Sequence, residues 1–174
     1  IGQQWEMIDH NYEMHFNAAG YIEWATYYKI SMQLDYRYVY KYDAAGNRVM
    51  ETWFDSDNAL DYRIARKFSG KGFLEEMKKY TDTTGECDER TEYEVDPNGH
   101  PTKSTLYDGN DAMLGYTTYK YDEYGNAIEE DNFDSKNKPT GKILRTFDNG
   151  KHHVLNEDAY NPDGTIATKK KMQY

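Results

Sequence analysis

A repeat of about 26 residues runs through this sequence and constrains its fold more than any other feature. In five places an aromatic or apolar residue, here called the first position, stands four residues before a glycine. These pairs are Phe16 with Gly20, Tyr42 with Gly46, Phe68 with Gly72, Val95 with Gly99, and Tyr121 with Gly125. Phe147 continues the series, with Gly150 one residue early, and every interval between first positions is the same except Phe68 to Val95, which is one residue longer. This spacing predicts one structural unit that is repeated along the chain.

A second aromatic position recurs eight residues after each of the first five glycines. Aspartate follows directly after many of the aromatic positions, where its side chain can cap a turn by accepting backbone hydrogen bonds. Each unit therefore has two fixed aromatic positions. The second positions are Tyr28, Phe54, Tyr80, Tyr107 and Phe133; the aspartates are Asp43, Asp96, Asp122 and Asp148 after first positions, and Asp55, Asp108 and Asp134 after second positions.

One extra residue interrupts the series between Tyr80 and Val95, in the segment TDTTGECDERTEY. The distance from a second position to the next first position is constant elsewhere and is one residue longer here. Loops absorb insertions more readily than paired strands do. We therefore expect a turn in this segment and two strands in each unit.

Turn and strand patterns support a hairpin unit. In YDAAGN, VDPNGH, YDEYGN, FDNGK and YNPDGT, Asp or Asn precedes a glycine that is free to adopt a positive φ, which is typical of hairpin turns. FLEEMKKY, residues 73–80, would suggest a short helix in isolation, but its place in the repeat predicts a strand. The clearest strand is DYRYVYKYD, which places Tyr36, Tyr38, Tyr40 and Tyr42 on one face and Asp35, Arg37, Val39 and Lys41 on the other.

These patterns predict an all-β fold, an antiparallel meander of roughly twelve to fourteen strands in which hairpins of about 26 residues form one large twisted or curled sheet. The last segment, TIATKKKMQY, carries three consecutive lysines, as terminal strands often do to prevent edge-to-edge association. We expect a single domain, residues 1–174, with units of approximately 16–41, 42–67, 68–94, 95–120, 121–146 and 147–174.

Composition indicates an aromatic core, since 18 Tyr, 6 Phe and 3 Trp accompany few aliphatic residues. The net charge of -10 disfavours nucleic-acid binding. There is no apolar run near the length of about 20 residues that a membrane-spanning helix requires, so we predict no membrane insertion. Cys87 is the only cysteine, which rules out an internal disulfide and a cysteine-based zinc site.

YDAAGN and YDEYGN resemble the Tyr-Asp-x-x-Gly signature of the bacterial YD-repeat, or RHS-type, proteins, and VDPNGH and YNPDGT are degenerate versions of it. The resemblance covers about six units and most of the chain. The sequence departs from that family in its longer period and in Asn47-Arg48 and Asn126-Ala127, where the family has an arginine-leucine pair. MORN-like hairpin repeats are the alternative relatives. The resemblance implies a structural module of a secreted or cell-surface bacterial protein. We expect a location outside the cell, on its surface or in the periplasm, and the repeat pattern is compatible with flanking repeats.

Acidic clusters are the first enzymatic candidates. Adjacent strand residues point to opposite faces, so Glu75-Glu76 is a poor acid/base pair, whereas Glu129 and Asp131 share a face. A glycosidase using Glu129 and Asp131 is therefore one hypothesis. A solvated sheet face explains the same residues more simply, and we predict no catalytic residue.

Metal sites are weakly suggested. The segments DSDNALD, residues 55–61, and DGND, residues 108–111, crowd oxygen ligands but lack the EF-hand glycine and distal glutamate. Capped turns explain these aspartates better. The histidines have no metal-site spacing, so we predict neither metal nor cofactor; they are His10, His15, His100, His152 and His153.

Two functions remain open. The first is a non-enzymatic structural or interaction module with a protein partner, because turn residues, not reactive groups, are what repeats. The alternative is carbohydrate or cell-wall binding, in which exposed rings stack on the apolar faces of sugars. The same rings would otherwise form the core. The candidate ligand-binding residues are Trp24, Tyr36, Tyr38, Tyr40, Trp53 and Tyr119.

Overall fold

The computed structural model describes residues 10–81, 85–148 and 152–172. Within these ranges there are thirteen strands and no helix, and the strands follow chain order in one antiparallel sheet. This confirms the predicted meander of hairpins. The strands are β1 His10–Phe16, β2 Ile22–Lys29, β3 Leu34–Tyr42, β4 Arg48–Phe54, β5 Leu60–Phe68, β6 Leu74–Tyr80, β7 Glu89–Val95, β8 Pro101–Asp108, β9 Met113–Tyr121, β10 Ala127–Asp134, β11 Pro139–Phe147, β12 Val154–Tyr160 and β13 Ile166–Lys171.

The strand predictions are confirmed segment by segment. DYRYVYKYD forms most of β3, FLEEMKKY contains β6, and the lysine-rich end of the chain forms β13, the last strand of the sheet. The first part of the segment with the extra residue, residues 81–88, connects β6 to β7, and residues 82–84 lie outside the described ranges. No helix in the described part of the chain is long and apolar enough to cross a membrane.

The chain divides into two compact units. The first comprises residues 1–68 and 77–88, and in it β1 to β5 pair in order. The second comprises residues 69–76 and 89–174, and in it β7 to β13 pair in order. The single domain expected from the repeat stays a prediction.

The repeated aromatic positions coincide with β-bulges. At Tyr42, for example, Lys41 pairs with Met50 and Tyr42 pairs with Arg48, so one strand carries an extra residue at the turn end of the ladder. Bulges increase local twist and redirect side chains. Each repeat position therefore marks a fixed irregularity of the sheet. The same register shift occurs at Phe16, Tyr28, Phe54, Val95, Tyr107, Phe133, Phe147 and Tyr160.

Burial is spread over the sheet instead of being concentrated in a closed interior. Among the hydrophobic side chains of the described residues, only Ala25 and Tyr38 are buried. Most strand residues on both faces are half-buried. Cross-strand contacts between side chains of the same face must therefore supply most of the stabilisation.

Candidate functional site

The aspartates of the repeat hold the turns. Oδ1 of Asp43 accepts the backbone N–H groups of Ala45 and Asn47, both at 2.9 Å, and Gly46 adopts a φ of 87°. The side-chain and backbone hydrogen bonds from Asn47 lower the pKa of Asp43 below its ordinary value. These residues are thus committed to turn structure. Equivalent paired bonds cap turns at Asn17, Asp55, Ser69, Asp96, Asp108, Asp122 and Asp134.

The turns after the second positions share this geometry, but their residue with positive φ is not glycine. The glycine pattern in the sequence therefore did not identify them. Asn58 adopts a φ of 59°, and its backbone N–H donates to the carbonyl of Asp55 at 3.0 Å. The Asp-x-x-Asn or Asp-x-x-Asp spacing was the available signal, since both residues tolerate a positive φ. The other residues at equivalent places are Met32, Asp111 and Asn137.

The sixth turn differs from the others. Gly150, which the spacing assigns to this turn, lies outside the described residues, and His152 has a φ of 62°. The backbone N–H of Asp148 donates to the carbonyl of His153, five residues on instead of four. This turn therefore contains one residue more than its counterparts.

The candidate calcium segments are turns of the same kind. Oδ1 of Asp55 accepts bonds from Asp57 and Ala59, and Oδ1 of Asp108 accepts bonds from Asn110 and Ala112. Within residues 10–81, 85–148 and 152–172, no group of three or more His, Cys, Asp or Glu side chains could hold a metal ion. The carboxylates therefore have a structural use.

Three of the five histidines also take part in the packing of the repeat. His15 stacks on Trp24 at 5.6 Å between ring centroids, and His100 stacks on Tyr121 at 4.9 Å. Nδ1 of His152 contacts the side-chain oxygen of Asn126. These rings pack against neighbouring turns and strands.

First-position tyrosines connect each hairpin to the one before it. The hydroxyl of Tyr42 donates to the carbonyl of Ile22 at 2.9 Å, and its ring stacks on Tyr21 at 4.9 Å between centroids. Tyr121 repeats the arrangement by donating to the carbonyl of Pro101 at 2.8 Å. The tyrosine of the Tyr-Asp motif is therefore an intramolecular contact.

In three places the residue after a turn glycine lies over the glycine of the next hairpin: Tyr21 over Gly46, Phe73 over Gly99 and His100 over Gly125. A Cβ added to Gly46 would lie 2.5 Å from the hydroxyl oxygen of Tyr21, and one added to Gly99 would lie 2.6 Å from the ring of Phe73. The glycines are thus required for close packing as well as for their positive φ.

Four of the six predicted ligand-binding residues lie together on one face of the first unit. Rings from β1 to β5 form a ladder, here called the tyrosine stripe, with successive centroid distances of 6.0, 4.5, 5.7 and 5.5 Å. Tyr38 lies beside Trp53 at 5.4 Å, and Tyr40 lies beside Tyr38 at 4.7 Å. The members of the stripe are Tyr12, Tyr27, Tyr36, Trp53 and Tyr62.

The stripe presents ring edges more than ring faces. Tyr36 stacks against Tyr27 on one side and Trp53 on the other, so both of its faces are covered. Tyr38 is only 8% exposed, and burial followed by the hydrogen bond with Tyr27 raises its pKa. Sugar stacking needs an open ring face. Tyr12, 61% exposed at the end of the stripe, is the most open of these rings.

The remaining two predicted residues do not join this group. Trp24 pairs with Val39, which places it on the face opposite the tyrosine stripe. Tyr119 belongs to the second unit, where its hydroxyl lies 2.9 Å from the hydroxyl of Ser104.

Glu51 is a buried carboxylate that sequence reasoning missed. It is 8% exposed and accepts hydrogen bonds from Nε1 of Trp53 at 2.6 Å and from Arg66 at 3.0 Å. Arg48 lies 3.5 Å from the same carboxylate and its guanidinium lies 4.5 Å from the ring centroid of Tyr40. The only sequence feature that could have indicated this buried site is an acidic residue in the middle of β4. Glu51 therefore fixes the position of Trp53 within the stripe.

Glu129 and Asp131 share a face as predicted and are joined by a lysine. Nζ of Lys142 lies 2.9 Å from a carboxylate oxygen of each residue, and Lys120 lies 2.8 Å from Glu129. Hydrogen bonds from Lys120 and then Lys142 lower the pKa of Glu129 to about 2. Glu129 is thus ionised at neutral pH and is unsuited to act as a general acid.

A second repeated contact, also missed, places a side chain over four of the second-position rings. The guanidinium of Arg37 lies 4.5 Å from the ring centroid of Phe54. In the next two hairpins Arg63 covers Tyr80 and Arg90 covers Tyr107, at 4.4 and 4.0 Å. In the next hairpin Tyr116 stacks on Phe133 at 4.7 Å. We call this series of covering residues the ring-cover column.

The second unit also contains a groove of about 390 Å3, in which β10, β11 and the turn between β12 and β13 take part. Its lining is largely apolar, with Lys142 and Asp131 among the polar residues. Lys142, which lines this groove, lies one period after Tyr116 and is therefore the next residue of the ring-cover column by spacing. Phe133, Pro139, Leu144 and Tyr160 also line the groove.

No protein-family model matches the chain, and neither does any curated protein. Among solved structures, TcdB2-TccC3 is similar with a TM-score of 0.47 and 14% identity, over 93% of this chain and 10% of that chain. A porin-like protein from Bacteroides uniformis ATCC 8492 has a TM-score of 0.40 and 12% identity, over 92% of this chain and 86% of that one. The chain thus spans about a tenth of the length of TcdB2-TccC3. TM-scores below 0.5 assign neither a family nor a function.

Proposed function

We propose that this chain is a non-enzymatic β-hairpin repeat module that provides scaffold and interaction surface in a bacterial protein of the YD-repeat type. The observation that supports it most is that the Tyr-Asp-x-x-Gly residues serve the repeat itself. Tyr42 bonds to the preceding hairpin, Asp43 caps its own turn and Gly46 lies under Tyr21. Residues used in this way build an array of hairpins that can be extended, and each hairpin is stabilised by contacts with the adjacent ones.

The proposal includes a location outside the cell, on its surface or in the periplasm, and a protein partner. Intact bacteria that express the native protein should lose this module when treated with an external protease, or release it with the periplasmic fraction. A module that stays with the cytoplasmic fraction in both treatments contradicts the proposed location.

The non-enzymatic part of the proposal is tested at Glu129 and Asp131. Purified chain and the Glu129→Ala/Asp131→Ala variant are incubated with a panel of polysaccharides, and released reducing ends are measured. We expect equal and background-level release from both proteins. Turnover that the wild type shows and the double variant lacks would establish a glycosidase instead.

The tyrosine stripe supports a second candidate function, carbohydrate or cell-wall polysaccharide binding. Within the first unit the stripe follows the repeat, because Tyr27 and Trp53, like Tyr36 and Tyr62, are one period apart. It does not continue into the later repeats, since the positions three periods after Tyr36 and Tyr62 are Gly115 and Gly141. Aromatic residues that the later repeats do not share are free to serve a ligand. Because most ring faces are covered, a sugar would contact ring edges, hydroxyl groups and Tyr12.

Tryptophan fluorescence tests this second candidate, because Trp53 lies in the stripe and Trp24 lies on the other face. A binding polysaccharide should shift the emission of the Trp24→Phe variant, which keeps Trp53. The Trp53→Phe variant is the matched control and should respond less. Unchanged emission of both variants with cell-wall polysaccharides rules against sugar binding by the stripe.

A further inference from the structure

The ring-cover column is interrupted in the groove of the second unit. Arg37, Arg63, Arg90, Tyr116 and Lys142 recur with the period of the repeat, including its one longer interval. The strand register agrees, because Arg37 pairs with Phe54, Arg90 with Tyr107, Tyr116 with Phe133, and Lys142 with Tyr160. Lys142 therefore occupies the position from which the ring of Tyr160 would be covered.

Lys142 does not cover that ring. Its Nζ is bonded to Glu129 and Asp131, both at 2.9 Å, and these bonds, from Glu129 first, raise the pKa of Lys142. In the described part of the second unit no arginine or lysine lies over Tyr160. Tyr160 instead lines the groove. The site above this ring, filled by a guanidinium in three other hairpins, is open here.

We propose that this groove binds an arginine side chain of a partner protein, with the guanidinium stacked on Tyr160 as Arg90 is stacked on Tyr107. The inference rests on the proposed role as an interaction module and specifies the chemistry of the partner. The scaffold already supports this geometry three times, at 4.0 to 4.5 Å from ring centroids. The net charge of -10 attracts a basic partner.

The lining of the groove selects guanidinium over ammonium. Phe133, Pro139 and Leu144 contribute apolar surface, which favours the weakly hydrated, planar guanidinium over the strongly hydrated lysine head group. Asp131 supplies a carboxylate whose acceptor sites are not exhausted by a single lysine. Arg90 combines the same two contacts, since it lies over Tyr107 and bonds to Asp111 at 2.9 Å.

The experiment is an NMR titration of the isotope-labelled whole chain with L-argininamide, with L-lysinamide as a probe of equal charge. Argininamide should shift the ring resonances of Tyr160 and Phe133 in a saturable manner. Lysinamide should bind at least about fivefold more weakly, because an ammonium group stacks and desolvates less favourably.

Two variants separate binding from folding. Lys142→Arg should restore the column, place its own guanidinium over Tyr160 and abolish the argininamide shifts, with a melting temperature equal to or above that of the wild type. Tyr160→Ala removes the ring and should also abolish the shifts. Lys136→Arg, on an exposed turn outside the groove, is the matched control and should bind as the wild type does.

Three results would overturn the inference. These are equal shifts with argininamide and lysinamide, argininamide shifts that persist in Lys142→Arg, and Tyr160 shifts caused by maltose but not by argininamide. The last result would make the groove a sugar site. A failure of the arginine inference leaves the protease-accessibility and turnover results unchanged, so it is distinguishable from a failure of the proposed function.

Discussion

At the scale of single residues, a turn glycine meets two separate requirements that substitution can distinguish. Gly20 and Gly46 have nearly equal φ values, 84° and 87°. A Cβ on Gly20 would have no atom within 4 Å, whereas a Cβ on Gly46 would meet the hydroxyl of Tyr21 at 2.5 Å. The pair therefore separates backbone strain from packing of one hairpin on the next.

Gly20→Ala should cost about 1 kcal/mol of unfolding free energy, because alanine is strained at positive φ. Gly46→Ala should cost about 1 to 3 kcal/mol more, since the ring of Tyr21 must also move. Urea denaturation of both variants measures the difference. Equal costs would mean that the contact between Tyr21 and Gly46 does not stabilise the array.

At the scale of strands, the tyrosine stripe takes the place of a closed core in the first unit. Trp53 is in the middle of it, between Tyr36 and Tyr62, and is bonded to the buried Glu51. Trp53→Ala should therefore lower the unfolding free energy by about 2 to 4 kcal/mol, through lost ring packing and the loss of one hydrogen bond to the buried carboxylate of Glu51.

Tyr12→Ala is the matched control for Trp53→Ala. Tyr12 ends the stripe and is 61% exposed, so its removal should cost less than about 1 kcal/mol. Guanidinium denaturation compares the two variants. A cost for Trp53→Ala no larger than that for Tyr12→Ala contradicts a stabilising role of the stripe.

The capped turns and the ion pairs of Lys142 with Glu129 and Asp131 make the stability of the fold decrease in acid. Hydrogen bonds lower the pKa values of Asp43, Asp122 and Asp134 below the ordinary value, and the pKa of Glu129 is lowered to about 2. Groups with a lowered folded pKa stabilise the fold above their ordinary pKa and lose this contribution as pH falls through the folded pKa. The melting temperature should therefore fall steadily below about pH 4.

Calorimetry between pH 7 and pH 2 checks this dependence. A Glu129→Gln variant should lose less stability than the wild type between pH 4 and pH 2, because it has one carboxylate fewer to protonate. A melting temperature that is constant or rises as pH falls from 5 to 2.5 contradicts the assignment.

The strands and turns were predictable because one period fixes them together. FLEEMKKY alone suggests a helix, and only its place between two turns identifies β6. What could not be predicted depends on register between strands. Trp24 pairs with Val39 and so lies opposite the stripe, and Arg37 meets Phe54 only because β3 and β4 align as they do. The pattern of residues within one strand does not determine how that strand is aligned with its neighbour.

At the scale of the whole molecule, the hairpin is the unit of construction and the neighbouring hairpin is its main source of stability. Bulges, caps, glycine covers and ring covers all recur with the same period. A chain built in this way should tolerate the removal of one complete period, because every remaining side chain finds an equivalent partner. Removal of a different length should place side chains on the wrong face.

The most direct test is deletion of residues 105–130, one full period, which joins Ser104 to Asp131. Arg90 should then cover Phe133 in place of Tyr107, and the chain should keep its β-sheet circular dichroism and a cooperative, somewhat lower, melting transition. Deletion of residues 106–130 removes one residue fewer and should strongly destabilise the fold. The side chains that follow the junction in the joined strand would then point to the opposite face of the sheet. Equal stability of the two deletions, or an unfolded full-period deletion, would contradict the account.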